Sequence, residues 1–313
     1  MKQSIQSGTK RTGKYFGSSR QKHDAICYGM LAPQIIGFFV FTLYPILWAV
    51  KWAFYRYTGL PSDTRFVGLA NFKTLFTQDT RYWSALLNSF LFAVCKLPIE
   101  IPLALILALI LQKKMKGSNF FQAVYFLPNI ISTAIIGIMF SSMFAHFGII
   151  NAMLQRFGII AEKISWFSEK KTAMFVIVIA SVWNTFGINV LYFMSALANV
   201  PEEIYESARL DGAGTFQQFF KITIPLISPV MRIIMMLAIY GTLATSDFIL
   251  MLTNGGPGGT TEVVMTYLLK NIVPGFVKNG ASIGYGTSMA VVTSIVLAFT
   301  SLMYLKFSKN KME

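Results

Sequence analysis

PEEIYESARLDGAGTFQQFFKITIP, residues 201–225, is a polar island between two long apolar runs, and its reading decides what the rest of the chain is. Pro201 supplies the fixed φ that suits a first helical position, and Glu202 and Glu203 put negative charge in the first turn, where the helix dipole favours it. A short helix is therefore expected to start here. Ile204, Tyr205 and Ala208 share one helical face, Glu206 and Arg209 are spaced for an i,i+3 ion pair, and Gly212 and Gly214 sit where the helix should end. Thr215 with Gln218 three residues on is a capping-box pattern for a second helix. Phe216, Phe219 and Phe220 form its apolar side, and Pro225 is expected to disrupt it. The outcome is two short helices bent about a glycine, with an apolar and acidic face too small to be a core of its own. Such a face calls for a partner.

Outside the island the composition is that of a polytopic membrane protein. Of 313 residues 54% are hydrophobic and 13% charged, and long runs carry no charge, which excludes an ordinary soluble globule. The net charge of +14 does not indicate nucleic acid, because Lys and Arg gather at the ends of apolar segments as the positive-inside rule expects. Cys27 and Cys95 lie in apolar runs without metal-ligand spacing and are expected to be small buried hydrophobes. His23 and His146 form no constellation with a nucleophile or paired carboxylates, so no catalytic residues are assigned. The chain lacks Gly-x-x-x-x-Gly-Lys-Ser/Thr and is not expected to bind ATP through a P-loop.

Residues 1–24 carry Lys2, Lys10, Arg11, Lys14, Arg20 and Lys22 against Asp24 alone and read as a disordered basic tail on the cytoplasmic side. Residues 25–313 read as one six-span unit, with spans at about 26–54, 83–111, 120–144, 172–198, 226–252 and 282–306. Ala32-Pro33 and Tyr44-Pro45 should bend the first span. Lys113, Lys114 and Lys116 mark a short inner turn, and Lys306, Lys309 and Lys311 keep the C-terminus inside with the N-terminus. The charge rule is not cleanly obeyed, since the first two outer segments also carry several bases.

Glu206-Ser207-Ala208, Gly212 and Ile222-Thr223-Ile224-Pro225 fall in the register Glu-Ala-Ala, three residues, Gly, nine residues, Ile-x-Leu-Pro. On these residues the island resembles the cytoplasmic EAA loop of ABC importer permeases, departing from it at Ser207 and Ile224. Asp211-Gly212-Ala213 resembles the sugar-importer branch. Shorter similarities to that branch stand at Phe66-Val67-Gly68-Leu69-Ala70-Asn71-Phe72, Phe126-Leu127-Pro128, Gly148-Ile149-Ile150-Asn151 and Thr253-Asn254-Gly255-Gly256-Pro257. From the first span to its end the chain is thus similar to carbohydrate permeases of the MalF/UgpA type. That resemblance implies an all-α, type I permease fold in the bacterial cytoplasmic (inner) membrane, with ATP and magnesium on a separate ATPase. It also implies partners: a second, MalG/UgpE-like permease, two ATPase subunits, an extracellular solute-binding protein, a sugar and membrane lipid. Docking to the ATPase would use Glu202, Glu203, Tyr205, Glu206, Ala208, Arg209, Asp211, Gly212, Ala213, Phe216, Phe219 and Pro225.

Polar side chains within spans tend to face a cavity or another helix. Three sets stand out: Asn129 with Thr133, Ser181 with Asn184 and Thr185, and Thr242 with Thr245 and Ser246 beside Tyr240. Uncharged hydroxyls and amides near aromatic rings suit a sugar, which needs donors and acceptors for its hydroxyls and rings for its C–H faces. Bonding from helix to helix is the plainer role for any one of them. Lys96 and Glu100, at i,i+4 in the second span, are tolerable there as a structural pair. Together with Asp247 they are also the charges that an ion-gradient-driven secondary transporter would use, the competing reading. Arg232, near the inner end of the fifth span, can snorkel to the interface.

Overall fold

The computed structural model describes residues 13–60, 64–112, 117–273 and 282–310. Lys2, Lys10, Arg11, Lys113, Lys114, Lys116 and Lys311, with the roles expected of them, lie outside the described residues. Helix α1, Gly13–Phe38, begins well before the expected start of the first span, so residues 13–24 are helical and not a disordered tail. The physical reason is propagation: once the apolar helix exists, Lys, Arg and Gln ahead of it extend it without a new nucleus. The chain then runs through a π turn, Phe39–Leu43, into α2, Tyr44–Trp52. The turn sits directly ahead of Pro45, and the Tyr44 N–H reaches back five residues to the Phe39 carbonyl. A wider turn takes up the proline ring without breaking the span.

The same device overturns one expectation in the polar island. Helix α9, Glu202–Leu210, is followed by α10, Thr215–Gln218, a π turn over Phe219–Thr223, and α11, Ile224–Leu243. Pro225 does not disrupt the second helix. The Ile224 N–H bonds to the Phe219 carbonyl, and helical backbone is continuous from Thr215 to Leu243.

Among the described residues five stretches are long and apolar enough to cross a membrane: Ile26–Trp52, Thr80–Gln112, Lys170–Ala198, Thr215–Leu252 and Ile283–Ser308. A sixth is a bent pair, α5 (Ser118–Ile130) and α6 (Thr133–Met143), turned by 94° at the break. The third span is therefore not one straight helix. Ile131 and Ser132 are extended at the break, which comes shortly after Pro128, so Asn129 and Thr133 belong to different helices and do not share a face. The fifth span is also interrupted: α11 stops at Leu243, and α12, Asp247–Leu252, restarts after a break that holds Thr245 and Ser246.

The core forms around α4 (Thr80–Gln112) and α8 (Lys170–Ala198). Phe92, Ala104, Ile136, Ile177, Val190, Phe193 and Ile249 are buried there together, joining these helices to α6 and α12. Gly187 brings α8 against the α5 backbone, because a Cβ at this position would collide with the Tyr125 carbonyl. At the end of the bundle away from the island, α3 (Ala70–Thr77) and α13 (Val264–Ile272) seal onto α4 and α14 (Ile283–Asn310) through Leu75, Tyr82, Val264, Leu268 and Met289. A two-residue antiparallel ladder, β1 (Tyr55–Arg56) with β2 (Arg65–Phe66), closes the same end. Cys27 and Cys95 are exposed, contrary to expectation. In a membrane helix the apolar face turns toward lipid or a neighbouring chain, so an apolar run does not imply burial in its own core.

Candidate functional site

The bend of the island is a Schellman turn. Gly212 takes φ +80°, the left-handed region that glycine enters without a Cβ penalty. The Ala213 N–H bonds to the Ala208 carbonyl (2.8 Å) and the Gly212 N–H to the Arg209 carbonyl (3.1 Å), the paired closure of that motif. Pro201 is the residue before the helix, and Glu202 and Glu203 occupy the first turn as expected. The second helix is capped one residue earlier than the Thr215–Gln218 pattern predicts. Gly214 precedes it and gives its N–H to Gln217 Oε1 (3.2 Å), while Gln218 Nε2 donates back to the Ala213 carbonyl (2.7 Å).

This closure decides which residues are presented. Tyr205 is half-buried, its hydroxyl 3.0 Å from Thr223 Oγ1, and Ala208 is buried; these two look into the loop, not out of it. Ala213 and Phe219 are half-buried, Phe219 packing against the core of the bundle. Glu202, Glu203, Glu206, Arg209, Asp211, Gly212 and Pro225 are exposed, and Glu206 and Arg209 do not form the expected ion pair. The barest apolar groups are Leu210, 91% exposed, and Phe216, 81% exposed, with Phe220 behind them at 62%. Leu210 escapes a reading by helical face because it lies on the opposite side of α9 from Ile204 and Ala208. It occupies the last helical position before the bend.

Within the bundle a second polar centre forms. Lys96 Nζ lies 3.4 Å from Glu100 Oε2 and donates to Thr242 Oγ1 (3.3 Å). Glu100 Oε1 accepts from Thr185 Oγ1 (2.6 Å) and Asn189 Nδ2 (2.8 Å). Lys96 is 4% and Glu100 1% exposed, so both charges are withdrawn from solvent and shared among α4, α8 and α11. Asn189 is absent from the three polar sets of the sequence, although it continues the Ser181/Thr185 stripe by one more i,i+4 step. Asn184 Nδ2 donates to the Pro128 carbonyl (2.6 Å) and ties α8 to the bend of the third span. Ser181 is buried, its carbonyl accepting from Thr185. Thus Ser181, Asn184, Thr185 and Thr242 are engaged inside the bundle. Asn129, Thr133, Thr245 and Ser246 are half-buried and Tyr240 is exposed. Asp247 is exposed in the first turn of α12, accepts from Ser246 Oγ (2.9 Å), and takes no part in the Lys96–Glu100 network.

The turns at the end of the bundle away from the island are held by single side chains. Asn151 donates to the carbonyls of His146 (3.0 Å) and Ile164 (2.8 Å) and accepts from Trp166 Nε1 (3.0 Å). Asn71 Nδ2 donates to the carbonyls of Ala53 and Tyr55. Lys270 Nζ clamps the glycine turn by donating to the Asn254 carbonyl (2.6 Å) and Glu262 Oε1 (2.7 Å), and Asn88 anchors its far side at the Thr260 and Glu262 carbonyls. Asp79 caps α4 at the Tyr82 N–H and accepts from the Tyr267 and Tyr285 hydroxyls. Burial and then the Asp79 charge push the Tyr267 hydroxyl up to about 12, so it remains a donor.

A family model described as binding-protein-dependent transport system inner membrane component matches residues 100–310, which hold the bent loop, the broken span and Glu100 of the buried charge pair. The chain belongs to that family. This permease is 33% identical over 285 residues to the arabinooligosaccharides transport system permease protein AraP of Bacillus subtilis, covering 90% of this chain and 88% of that one. It is 34% identical over 293 residues to the lactose transport system permease protein LacF of Rhizobium radiobacter, covering 93% and 95%. In fold the permease is similar to a chain of a bacterial ABC transporter involved in the import of the acidic polysaccharide alginate, at TM-score 0.78 and 23% identity over 93% of this chain and 98% of that one. The permease is accordingly a multi-pass, all-α inner-membrane component of the ABC-importer fold.

Proposed function

We propose that this permease forms half of the translocation path of an ATP-driven importer for a neutral di- or oligosaccharide, and that its bent loop is where a separate ATPase docks. The observation that carries the reading is the bare Leu210 and Phe216 pair, flanked by Glu202, Glu203 and Glu206, on a loop whose second helix runs unbroken into the bundle. Leu210 and Phe216 would enter an apolar cleft on the ATPase, and Glu206 would meet a basic residue there. A push on α10 is then a push on the whole helix to Leu243, because a continuous helix transmits displacement along its axis. The break at Ala244–Ser246 lets α12 keep its packing while α11 tilts. ATP and magnesium belong to the ATPase. Six spans would put both chain ends and the loop on one side of the membrane, and docking of the loop to the ATPase would make that side the cytoplasm.

The sugar rests on the relatives' printed cargoes, arabinooligosaccharides, lactose and trehalose/maltose, and on the chemistry of the groups left open. Asn129, Thr133, Tyr240, Thr245 and Ser246 are uncharged, hydroxyl- or amide-bearing, and not committed to the Lys96–Glu100 network. They would line the path against a second permease, with a solute-binding protein delivering cargo. Ser181, Asn184, Thr185 and Thr242 act one layer behind them. The test is uptake of labelled arabino-, galacto- and gluco-oligosaccharides by cells with and without this chain, under ATP depletion or ionophore. Chain-dependent uptake of one series that stops on ATP depletion and survives the ionophore is expected. Uptake that survives ATP depletion and collapses with the proton or sodium gradient would overturn the proposal and return Lys96, Glu100 and Asp247 to the role of coupling charges.

A further inference from the structure

The outer segments carry bases that neither the docking loop nor the path uses. On the two-stranded ladder Arg56 stands directly opposite Arg65. Directly opposed side chains on an antiparallel pair lie about 5 Å apart, and like charges there destabilise the pairing. Both arginines are exposed, and the ion pairs found among the described residues, Lys96–Glu100 and Lys270–Glu262, leave them out. Asp63 of the same hairpin lies outside the described residues, and no part of the site is assigned to it. A third exposed cation, Lys51, stands in the last turn of α2, its Nζ 5.5 Å from the centre of the Trp52 ring. Such a grouping stores unfavourable self-repulsion that an anion would relieve.

Its position says which anion. The first membrane stretch ends at Trp52, and Trp48, Trp52, Tyr55 and Tyr57 cluster there, Trp52 stacked on Tyr57 with centroids 4.1 Å apart. A Trp/Tyr cluster at a span end marks the headgroup layer. Arg56 comes four residues after Trp52, so the arginine pair sits at headgroup depth, in the leaflet opposite the docking loop. The guanidinium fork matches the oxygens of a phosphodiester. From this juxtaposition we infer that Arg56 and Arg65, with Lys51, form a binding site for the phosphate of an anionic phospholipid.

The experiment uses the full chain in neutral detergent, equilibrated with equal amounts of phosphatidylglycerol and phosphatidylcholine of matched acyl chains, with retained lipid measured by mass spectrometry. The intact chain should retain phosphatidylglycerol preferentially through a wash with millimolar inorganic phosphate. R56Q/R65Q should lower that preference roughly thirtyfold, from about one surface-charge contribution for each arginine. Because the substitutions remove repulsion, thermal stability should be unchanged or higher. Arg65→Glu, which sets an ion pair across the ladder, should stabilise the hairpin and also lose the lipid, while Lys73→Gln on neighbouring α3 should leave retention unchanged. Equal retention of the two lipids by the intact chain, or unchanged preference in R56Q/R65Q, would overturn the site. Release by the phosphate wash would assign the pair to a free anion instead. Retained lipid with lost affinity for the solute-binding protein would assign it to a protein interface.

Discussion

Glu100 gathers the polar chemistry of the bundle: one oxygen faces Lys96 and the other takes donors from Thr185 and Asn189. Removing one member of a buried pair leaves the other uncompensated, at a cost of about 3–5 kcal/mol, whereas replacing both with apolar groups of similar size is often close to neutral. Lys96→Met alone should therefore lower the thermal stability of the purified permease strongly. Lys96→Met combined with Glu100→Met should recover most of the loss, as read from the thermal midpoint in detergent. An equal loss in the single and double variants would show that the pair does not act as a unit. The i,i+4 spacing makes Lys96 and Glu100 legible in the sequence as a structural pair. Asn189 and Thr242 are not legible as their partners, because which neighbouring helix supplies a donor depends on packing at long sequence separation. The inward turn of Tyr205 and Ala208 is hidden for the same reason: periodicity shows that residues share a face, not which way the face looks.

At the level of elements, proline and glycine are readable as punctuation, but their strength is not. Pro45 and Pro225 each come just after a π turn, so a residue expected to break a helix only widens it locally. Near Pro128 the opposite happens: the chain leaves the helix at Ile131 and bends by 94°. The two cases differ in the backbone after the proline, since Ile131 and Ser132 are extended before α6 while the residues after Pro45 and Pro225 stay helical. Gly212 is the bend that its place in the sequence suggests. At φ +80° with its N–H bonded to Arg209, the position excludes proline twice, by angle and by the missing donor. Gly212→Pro should drop sugar-stimulated ATP hydrolysis of the assembled transporter to near its basal rate, with the subunit still present in the membrane. Gly212→Asn, which tolerates the left-handed region, should keep most of it. Full stimulation in Gly212→Pro would show that the bend is not needed for coupling.

For the whole molecule, burial is uneven in a way that composition alone does not show. Two thirds of the most apolar window of α8 is buried within the chain, whereas none of that window in the first span is. Six apolar stretches, the bent loop and the glycine turn are legible because each is a local pattern of hydropathy, proline, glycine and charge, whereas the side chains that staple the turns from far along the chain are not. Which spans form the core and which face lipid or a second subunit is not, because all are similarly apolar. The bare loop belongs to the same division, an apolar and acidic surface that the chain itself does not cover. The most direct measurement is affinity purification of the permease from membranes carrying the intact chain or the Leu210→Asp/Phe216→Asp variant, with quantification of any P-loop ATPase that comes with it. The ATPase should be retained by the intact chain and lost by at least tenfold from the variant, corresponding to about 1.4 kcal/mol or more, at equal permease level in the membrane. Undiminished ATPase with the variant would contradict docking through Leu210 and Phe216.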